Sequence, residues 1–258
     1  MDTLSGDIIG TLFEYLSTKE LILSSRVNKK FRKAFKDNIW KYKIVLWRWS
    51  DKIRDNHLIY LKGVKHIDLS MCKKITASGL ASITEDGGLI SICLGDCNLT
   101  DEHLEKLKGI PIIDLWLNNN ITEKGFAHLK GVKSIRLTNC YIITDSCLMY
   151  LTGVHTISLF NCHRITDFGL SYLRGVQSIN LSHCPEITDT GLSYLVGVKV
   201  IDISHCINIT DIGLSYLAGV NQITLYSCGP YITNNGLNLL RIANPNVKII
   251  SIKFDIYK

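Results

Sequence analysis

The chain has no apolar run approaching the roughly 18 to 20 residues that a membrane span needs. Its first residues lack the basic start and apolar stretch of a secretory signal. Cysteine or histidine pairs at C-x-x-C or H-x-x-x-H spacing are also missing. These absences argue against a membrane-spanning protein and against a zinc-finger type of domain. With 258 residues, 46% of them hydrophobic, the chain is long enough to bury a sizeable core.

Net positive charge is confined to the first part of the chain. Residues 1–54 carry 12 Lys and Arg against 6 Asp and Glu, whereas residues 55–258 carry 17 against 17. The net charge of +6 therefore belongs to the first 54 residues. This asymmetry predicts two modules, a basic head and an electrically balanced body.

The body repeats every 22 residues. Residues 132–150, 154–172, 176–194 and 198–216 share the pattern V-x-x-I-x-[LI]-x-x-C-x-x-I-T-D-x-x-L-x-Y. A fixed period in this range, with L-x-L-x-x-C inside it, is typical of a leucine-rich solenoid. Such folds rarely catalyse a reaction, and they usually present a long surface to another macromolecule.

One repeat can be interpreted residue by residue. Ile179 and Leu181 alternate with polar residues, which predicts a short strand with one buried face. Thr188 or Asp189 can cap a following helix, and Gly197 ends that helix. A single unit cannot bury both its faces, so the units must stack with their strands parallel.

Most of the nine cysteines fall at one position of this repeat. Because the repeat explains their spacing, they do not indicate a disulfide framework, and we expect reduced thiols and a cytoplasmic or nuclear protein.

The spacing along this position is 25, 21 and then 22 residues, with extra residues near Thr84–Gly88 as a protruding loop. We also expect a degenerate opening repeat near residues 44–64 and a last strand in 247–256. The position contains Cys72, Cys97, Asn118, Cys140, Cys162, Cys184, Cys206 and Cys228.

Residues 160–170, F-N-C-H-R-I-T-D-F-G-L, reproduce the L-x-x-C-x-x-I-T-D-x-G-L signature of cysteine-containing leucine-rich repeats. The body, about residues 58–254, resembles that class. The resemblance implies an α/β fold: a right-handed leucine-rich-repeat solenoid of about eight repeats, with parallel strands on the concave side and helices on the convex side.

The head has apolar residues at helical spacing, which fits a helical cap over the first repeat. Their order, L-S-x-D-I-I-x-x-L-F-x-Y-L from residue 4, followed by Leu21, V-N-K-x-F from Val27 and Trp40, resembles an F-box. The resemblance implies docking on the Skp-type adaptor of a cullin–RING (SCF-type) ubiquitin ligase, with the repeats holding the substrate. The implied adaptor-binding residues are Leu4, Ile8, Ile9, Leu12, Phe13, Leu16, Leu21 and Val27.

These observations predict an F-box at residues 1–45, a junction or degenerate capping repeat at 46–63, and the solenoid with its capping strand at 64–258. The alternative is a non-catalytic scaffold or decoy that does not deliver a substrate to a ligase. In either case we expect protein partners, and no cofactor, metal, nucleic acid or membrane.

The repeat register predicts which side chains form the exposed strand face. The two columns that flank the inward aliphatic residues are expected to be exposed and mostly small and polar. Large aromatic residues flanked by opposite charges have the composition of a binding hot spot, although Trp116 could instead pack on its neighbours. The predicted substrate-binding residues are Asp114, Trp116, Leu117, Arg136 and Phe160.

Three other kinds of site compete with this surface as interpretations of the sequence. Aromatic and basic residues alternate between Trp40 and Lys52, as in single-strand nucleic-acid binders, but aromatic core at the junction is the preferred interpretation. The repeated pairs at 183–184 and 205–206 are poorly oriented for zinc. Cys93 and Cys147 lie outside the cysteine position, and neither has a recognisable base nearby, so we expect no enzyme activity.

Overall fold

A computed structural model describes residues 33–34, 37, 39–41 and 43–251. The predicted adaptor-binding residues, Leu4 to Val27, lie outside these described residues. The chain divides into two compact units, residues 1–97 and 98–258. Within the described part, no helix is both long and apolar enough to cross a membrane.

The described residues of the first unit form three parallel strands, and helices connect them in chain order. Strand β1 pairs with β2, and β2 pairs with β3. A short 3-10 turn at Ile39–Lys41 precedes β1, and two more at Trp47–Trp49 and Ile59–Leu61 lie between β1 and β2. The elements are β1 Lys43–Val45, α1 Asp55–Leu58, β2 His66–Asp68, α2 Ala77–Thr84 and β3 Ser91–Cys93.

The described residues of the second unit repeat helix and strand seven times, from α3 to β10. All neighbouring strands in it pair in parallel and in register. The elements are α3 Asp101–Glu105, β4 Ile112–Asp114, α4 Glu123–Phe126, β5 Ser134–Arg136, α5 Asp145–Leu148, β6 Thr156–Ser158, α6 Asp167–Leu170, β7 Ser178–Asn180, α7 Asp189–Ser193, β8 Val200–Asp202, α8 Asp211–Ser215, β9 Gln222–Thr224, α9 Asn234–Ala243 and β10 Lys248–Ile250.

The core follows from the alternation within each strand. In β5, β6 and β7 the middle residue, Ile135, Ile157 or Ile179, is at most 2% exposed, and so is the leucine two positions later, such as Leu137. Parallel strands of this length, joined by one short helix per repeat, form the predicted leucine-rich-repeat solenoid. That prediction is confirmed, whereas the predicted domain boundaries stay predictions.

In six places the same side-chain contact links one helix to the next. Thr166 caps α6, and its backbone N–H and its Oγ1 donate to the two carboxylate oxygens of Asp145, at 2.9 and 2.6 Å. We call this pair of bonds the Asp–Thr clasp. Hydrogen bonds to a carboxylate are among the stronger ones in proteins, so the clasp is a repeated tie between coils. The clasps are Asp55–Thr76, Asp101–Thr122, Asp145–Thr166, Asp167–Thr188, Asp189–Thr210 and Asp211–Thr233.

The glycine three residues after each clasp threonine has a steric cause. A Cβ on Gly169 would lie 2.3 Å from Oδ1 of Asp145, closer than real atoms approach. Cys147 occupies this position one coil earlier, and the residue at the aspartate position facing it is Glu123. No hydrogen bond joins Glu123 to Thr144 among the described residues. The longer carboxylate accepts instead from the hydroxyl of Tyr150, at 3.5 Å.

One local expectation is confirmed and one needs correction. The loop expected near Thr84–Gly88 is an exposed turn at residues 85–88, which follows the eight-residue helix α2. Trp47 is exposed, with the Arg48 guanidinium 5.4 Å from its ring centre, so it is not part of an aromatic core at the junction. A 3-10 turn over Trp47–Trp49 points successive side chains in different directions, which the aromatic composition could not predict.

Candidate protein-binding surface

The candidate surface is built on the turn that follows each strand. The residue just before the conserved cysteine position adopts a left-handed backbone, with φ between +51° and +64°. Its N–H donates to the backbone carbonyl of the next coil, as from Leu117 to Thr138 at 3.0 Å and from Asn139 to Phe160 at 2.9 Å. Within the second unit, these bonds place Leu117, Asn139, Asn161, His183 and His205 in a row. Ser227 in the same unit and Met71 and Asp96 in the first unit have the same left-handed backbone.

Buried cysteine thiols connect most of these turns to the preceding coil by hydrogen bonds. Cys184 donates to the carbonyl of Leu159, 25 residues earlier, at an Sγ–O distance of 3.1 Å. Cys140, Cys162 and Cys206 make the same bond to the preceding coil. Burial raises the pKa of the Cys184 thiol to about 12, so the thiol stays protonated and donates near neutral pH.

Asn118 replaces the cysteine in the coil that carries Trp116. Its Nδ2 donates to the carbonyls of Leu115 and Trp116, at 3.0 and 3.3 Å, and its Oδ1 accepts from the N–H of Leu99 at 3.2 Å. The amide therefore satisfies donors and acceptors that a thiol cannot serve together. Asn118 thus donates to backbone carbonyls, as the cysteines at this position do.

Three of the predicted site residues cluster around Trp116. Asp114 forms an ion pair with Arg136 in the next strand, and its Oδ1 accepts from the backbone N–H of Trp116 at 3.4 Å. Trp116 is half-buried, and Leu117 beside it is 37% exposed. Leu117 has a φ of +56°, a conformation that costs a leucine more than an asparagine. An exposed leucine in a strained position next to a tryptophan gives the surface its apolar centre.

Phe160 lies two coils further on and belongs to a row of rings. Its ring meets His183 edge to face at 5.2 Å, and His183 stacks on His205 at 4.0 Å. Burial and the two neighbouring imidazoles, His205 and His163, lower the pKa of His183. Parallel strands lie about 4.8 Å apart, so roughly 10 Å separate Trp116 from Phe160 along the sheet. Asp114, Trp116, Leu117 and Arg136 thus form one cluster, and Phe160 lies two strands away from Trp116 on the same sheet.

Sequence reasoning missed several neighbours of this surface. Tyr141 lies 6.0 Å from the ring of His163, and its hydroxyl accepts from Nδ2 of Asn161 at 3.3 Å. From the sequence, His183 and His205 suggest only a metal site. The sequence signal that could identify them as surface residues is their position just before the cysteine, in the turn that follows each strand.

One predicted column is more buried than expected. Ser182 and Ser204 are only 3% and 4% exposed. Ser204 donates to Asp202 at 2.6 Å and accepts from the N–H of Tyr226 at 3.1 Å, so it is bound within the turn. Both serines belong to the column that contains Trp116 and Phe160, so the prediction that this column is exposed is wrong for them. In each turn, the side chain two residues earlier accepts from the serine backbone N–H, Asn180 from Ser182 and Asp202 from Ser204. Among the described residues, no group of three or more metal-ligand side chains occurs.

Comparison with known proteins supports this architecture. The family model described as Leucine Rich repeat matches residues 176–196. No curated protein sequence matches the chain significantly. The fold determines the class: the chain is a leucine-rich-repeat protein.

Several solved structures share the fold at low sequence identity. TLR13, solved in complex with ssRNA13, is 15% identical with a TM-score of 0.57, covering 77% of this chain and 31% of the TLR13 chain. An internalin C2 from Listeria monocytogenes is 18% identical with a TM-score of 0.51, covering 78% and 85% of the two chains. An internalin from the same organism, inlF, is 17% identical with a TM-score of 0.52, covering 75% and 62%. The chain thus spans about a third of the length of TLR13.

Proposed function

We propose that this protein is the substrate-recognition subunit of an SCF-type ubiquitin ligase. The observation that carries the proposal is the order of modules, an F-box pattern directly before leucine-rich repeats. The F-box docks on a Skp-type adaptor, and the surface around Asp114, Trp116, Leu117, Arg136 and Phe160 binds the protein to be ubiquitinated and degraded. The excess of positive charge between Arg26 and Arg54 suits the acidic adaptors of this type and favours fast association.

The subunit has no catalytic role of its own in this proposal. Burial raises the pKa of the Cys140 thiol to about 11 and also raises that of Cys147. A thiol must ionise to act as a nucleophile, so these side chains support a structural role. The proposed location is the cytoplasm, the nucleus or both, where thiols stay reduced.

A second candidate function is a scaffold or decoy that binds a protein without delivering it to a ligase. Departures from the F-box pattern favour it. Ser5 replaces the usual proline, Lys19 an acidic residue, Asn28 a cysteine and Phe31 a tryptophan. Together these departures reduce the number of family contacts available to an adaptor.

Co-purification with Skp-type adaptor and cullin tests the proposal. The Ile9→Asp, Leu12→Asp variant should lose the adaptor, because an unpaired charge in a protein contact costs several kcal/mol, enough to abolish a micromolar interface. Phe168→Asp is the matched control, since Phe168 is 62% exposed in α6 and lies outside the F-box. Adaptor that still co-elutes with the double variant rules out the F-box assignment, and a wild type that recovers partners but no cullin favours the scaffold.

The substrate surface needs a separate variant. Replacing Trp116, Arg136 and Phe160 together by alanine should keep adaptor and thermal stability but lose the proteins captured while the proteasome is blocked. Capture that survives this triple change places the substrate site elsewhere, in the C-terminal repeats or at the turn after Thr84.

A further inference from the structure

The charges of the second unit are unevenly distributed along each repeat. The segments that lead from each helix into strands β4 to β10 contain no Asp or Glu. The acidic residues in the described part of this unit lie instead on the strands and on or just before the helices, many of them in Asp–Thr clasps, and a few cations such as Lys124 and Arg164 lie there as well. Exposed cations occupy the segments before the strands, at Lys108, Lys130, Lys133, Arg174 and Lys199, and Lys248 is the first residue of β10.

Backbone hydrogen bonds place the start of every strand on one edge. Lys133 donates to the carbonyl of Pro111 at 2.9 Å, and the same N–H to C=O bond then passes from coil to coil at 2.8 to 2.9 Å. The ladder contains Pro111, Lys133, His155, Gln177, Lys199, Asn221 and Lys248. This strand-entry edge therefore presents lysine at three of its seven positions and carboxylate at none.

The cations of this edge form no salt bridge with the described residues of the unit. Salt bridges in the described residues of the second unit join only Lys106 to Glu105 and Arg136 to Asp114. The Arg174 guanidinium lies 4.6 Å from the ring centre of Tyr194, which fixes its position without removing its charge. A row of uncompensated cations creates a positive potential that attracts an anionic partner.

Apolar residues among the cations indicate which anion fits. Val196 and Val200 flank Lys199, and Ile112 pairs in register with Ser134 beside Lys133. All three apolar side chains are exposed. Binders of single-stranded nucleic acid rely on stacking aromatic residues, and the seven ladder positions contain no Phe, Tyr or Trp, whereas Tyr150, Tyr172, Tyr194 and Tyr216 lie earlier in the same segments. Aliphatic residues between lysines suit a peptide that alternates carboxylates with apolar side chains.

We infer that the strand-entry edge of residues 108–248 binds an acidic, partly apolar protein segment in an extended conformation across the coils. Six intervals of about 4.8 Å separate β4 from β10, and an extended chain advances roughly 3.4 Å per residue, so about nine residues span the edge. The inference is independent of the ligase proposal, because it involves neither the F-box nor the Trp116 surface.

The test is a binding titration of the full chain with a labelled peptide of about 12 residues in which Glu and Asp alternate with Leu and Phe. The wild type should bind it, and affinity should fall several-fold as salt rises from about 50 to about 300 mM. Lys133→Glu with Lys199→Glu should weaken binding by about tenfold or more. Lys124→Glu with Arg164→Glu, an equal charge change at two exposed residues away from this edge, should change it less than about twofold.

Three probes and one stability check decide the outcome. The same peptide with Gln and Asn in place of its acids should not bind, and a 12-residue polyglutamate or an oligo-dT of similar length should bind more weakly. Thermal unfolding should be alike in both double variants. Equal losses in the two variants, tighter binding of oligo-dT, or no binding of the acidic peptide at low salt each overturn the inference.

Discussion

Two regions of the second unit solve the same packing problem with different residues. In the coils of β6, β7 and β8, a buried cysteine donates to the preceding strand end, and an aspartate holds the next threonine under a glycine. The coil of β4 has Asn118 for the cysteine and Glu123 for the aspartate, and the following coil has Cys147 for the glycine.

The difference shows that two departures from the repeat, Glu123 for aspartate and Cys147 for glycine, are matched to each other. Glycine is required only where the preceding coil has an aspartate, because the clasp carboxylate occupies the space of a Cβ. Where Glu123 opens the clasp, a cysteine fits. The irregular coil is also the one that exposes Trp116 and Leu117. The coil in which Glu123 replaces the clasp aspartate is therefore also the coil that carries the centre of the candidate binding surface.

The largest expected effect concerns the thiols that the regular coils have and the Asn118 coil lacks. Burial raises the pKa of Cys184 to about 12 and that of Cys228 to about 11, from an ordinary value of 9.0. Between these values the folded chain keeps protons that the unfolded chain releases, so the free energy of unfolding is highest below pH 9 and falls as pH rises. Each thiol contributes about 1.4 kcal/mol per pH unit.

Urea unfolding at about pH 8 and about pH 10 measures this slope. Cys184→Ser should cost about 1 kcal/mol at the lower pH and reduce the slope by one thiol's share. Asn118→Cys should increase the slope by a similar amount. Identical slopes in the wild type and both variants would show that these thiols do not titrate differently on folding.

The second effect is a difference in stability between the Asp145–Thr166 clasp and the Glu123–Thr144 pair, which forms no clasp among the described residues. Gly169→Ala should destabilise the protein by about 2 to 3 kcal/mol, since the new methyl group meets the Asp145 carboxylate. Cys147→Ala, at the equivalent position over Glu123, should cost less than about 1 kcal/mol. Chemical unfolding of both variants makes the comparison.

Asp145→Ala completes this test as a double-mutant cycle. The double variant with Gly169→Ala should lose less free energy of unfolding than the sum of the single variants, with a coupling of at least about 0.5 kcal/mol. Strict additivity would mean that the glycine is required for a reason other than the clasp, such as the 3.1 Å approach to Leu148.

A third, smaller effect should follow from repairing the irregular coil. Glu123→Asp with Cys147→Gly restores the residues of a clasp to Thr144, and we expect the double variant to be about 1 kcal/mol more stable than either single variant. Thermal unfolding of the three variants measures this. A double variant no more stable than Glu123→Asp alone would contradict the matched-pair interpretation.

Much of this architecture could be predicted because the repeat averages out local ambiguity. The period alone places Ile179 and Leu181 in the core, identifies Thr188 as a capping candidate and ends the helix at Gly197. The period could not predict contacts between coils, since the partner of Asp145 lies 21 residues away in the chain. It also could not predict that Ser182 and Ser204 fold back into their turns, because a small polar residue fits an exposed column and a bound turn equally well.

The smallest effect concerns Leu117, whose left-handed backbone is occupied by asparagine in the next two coils. Asparagine tolerates this conformation better than leucine, so Leu117→Asn should stabilise the protein by about 0.5 to 1 kcal/mol. The mirror change, Asn139→Leu, should destabilise it by a similar amount. If Leu117 is part of the substrate surface, the first variant should also retain less substrate while unfolding at a higher temperature. A stabilised variant with undiminished substrate capture would remove Leu117 from the site, and a destabilised one would show that its side chain packs productively despite the strained backbone.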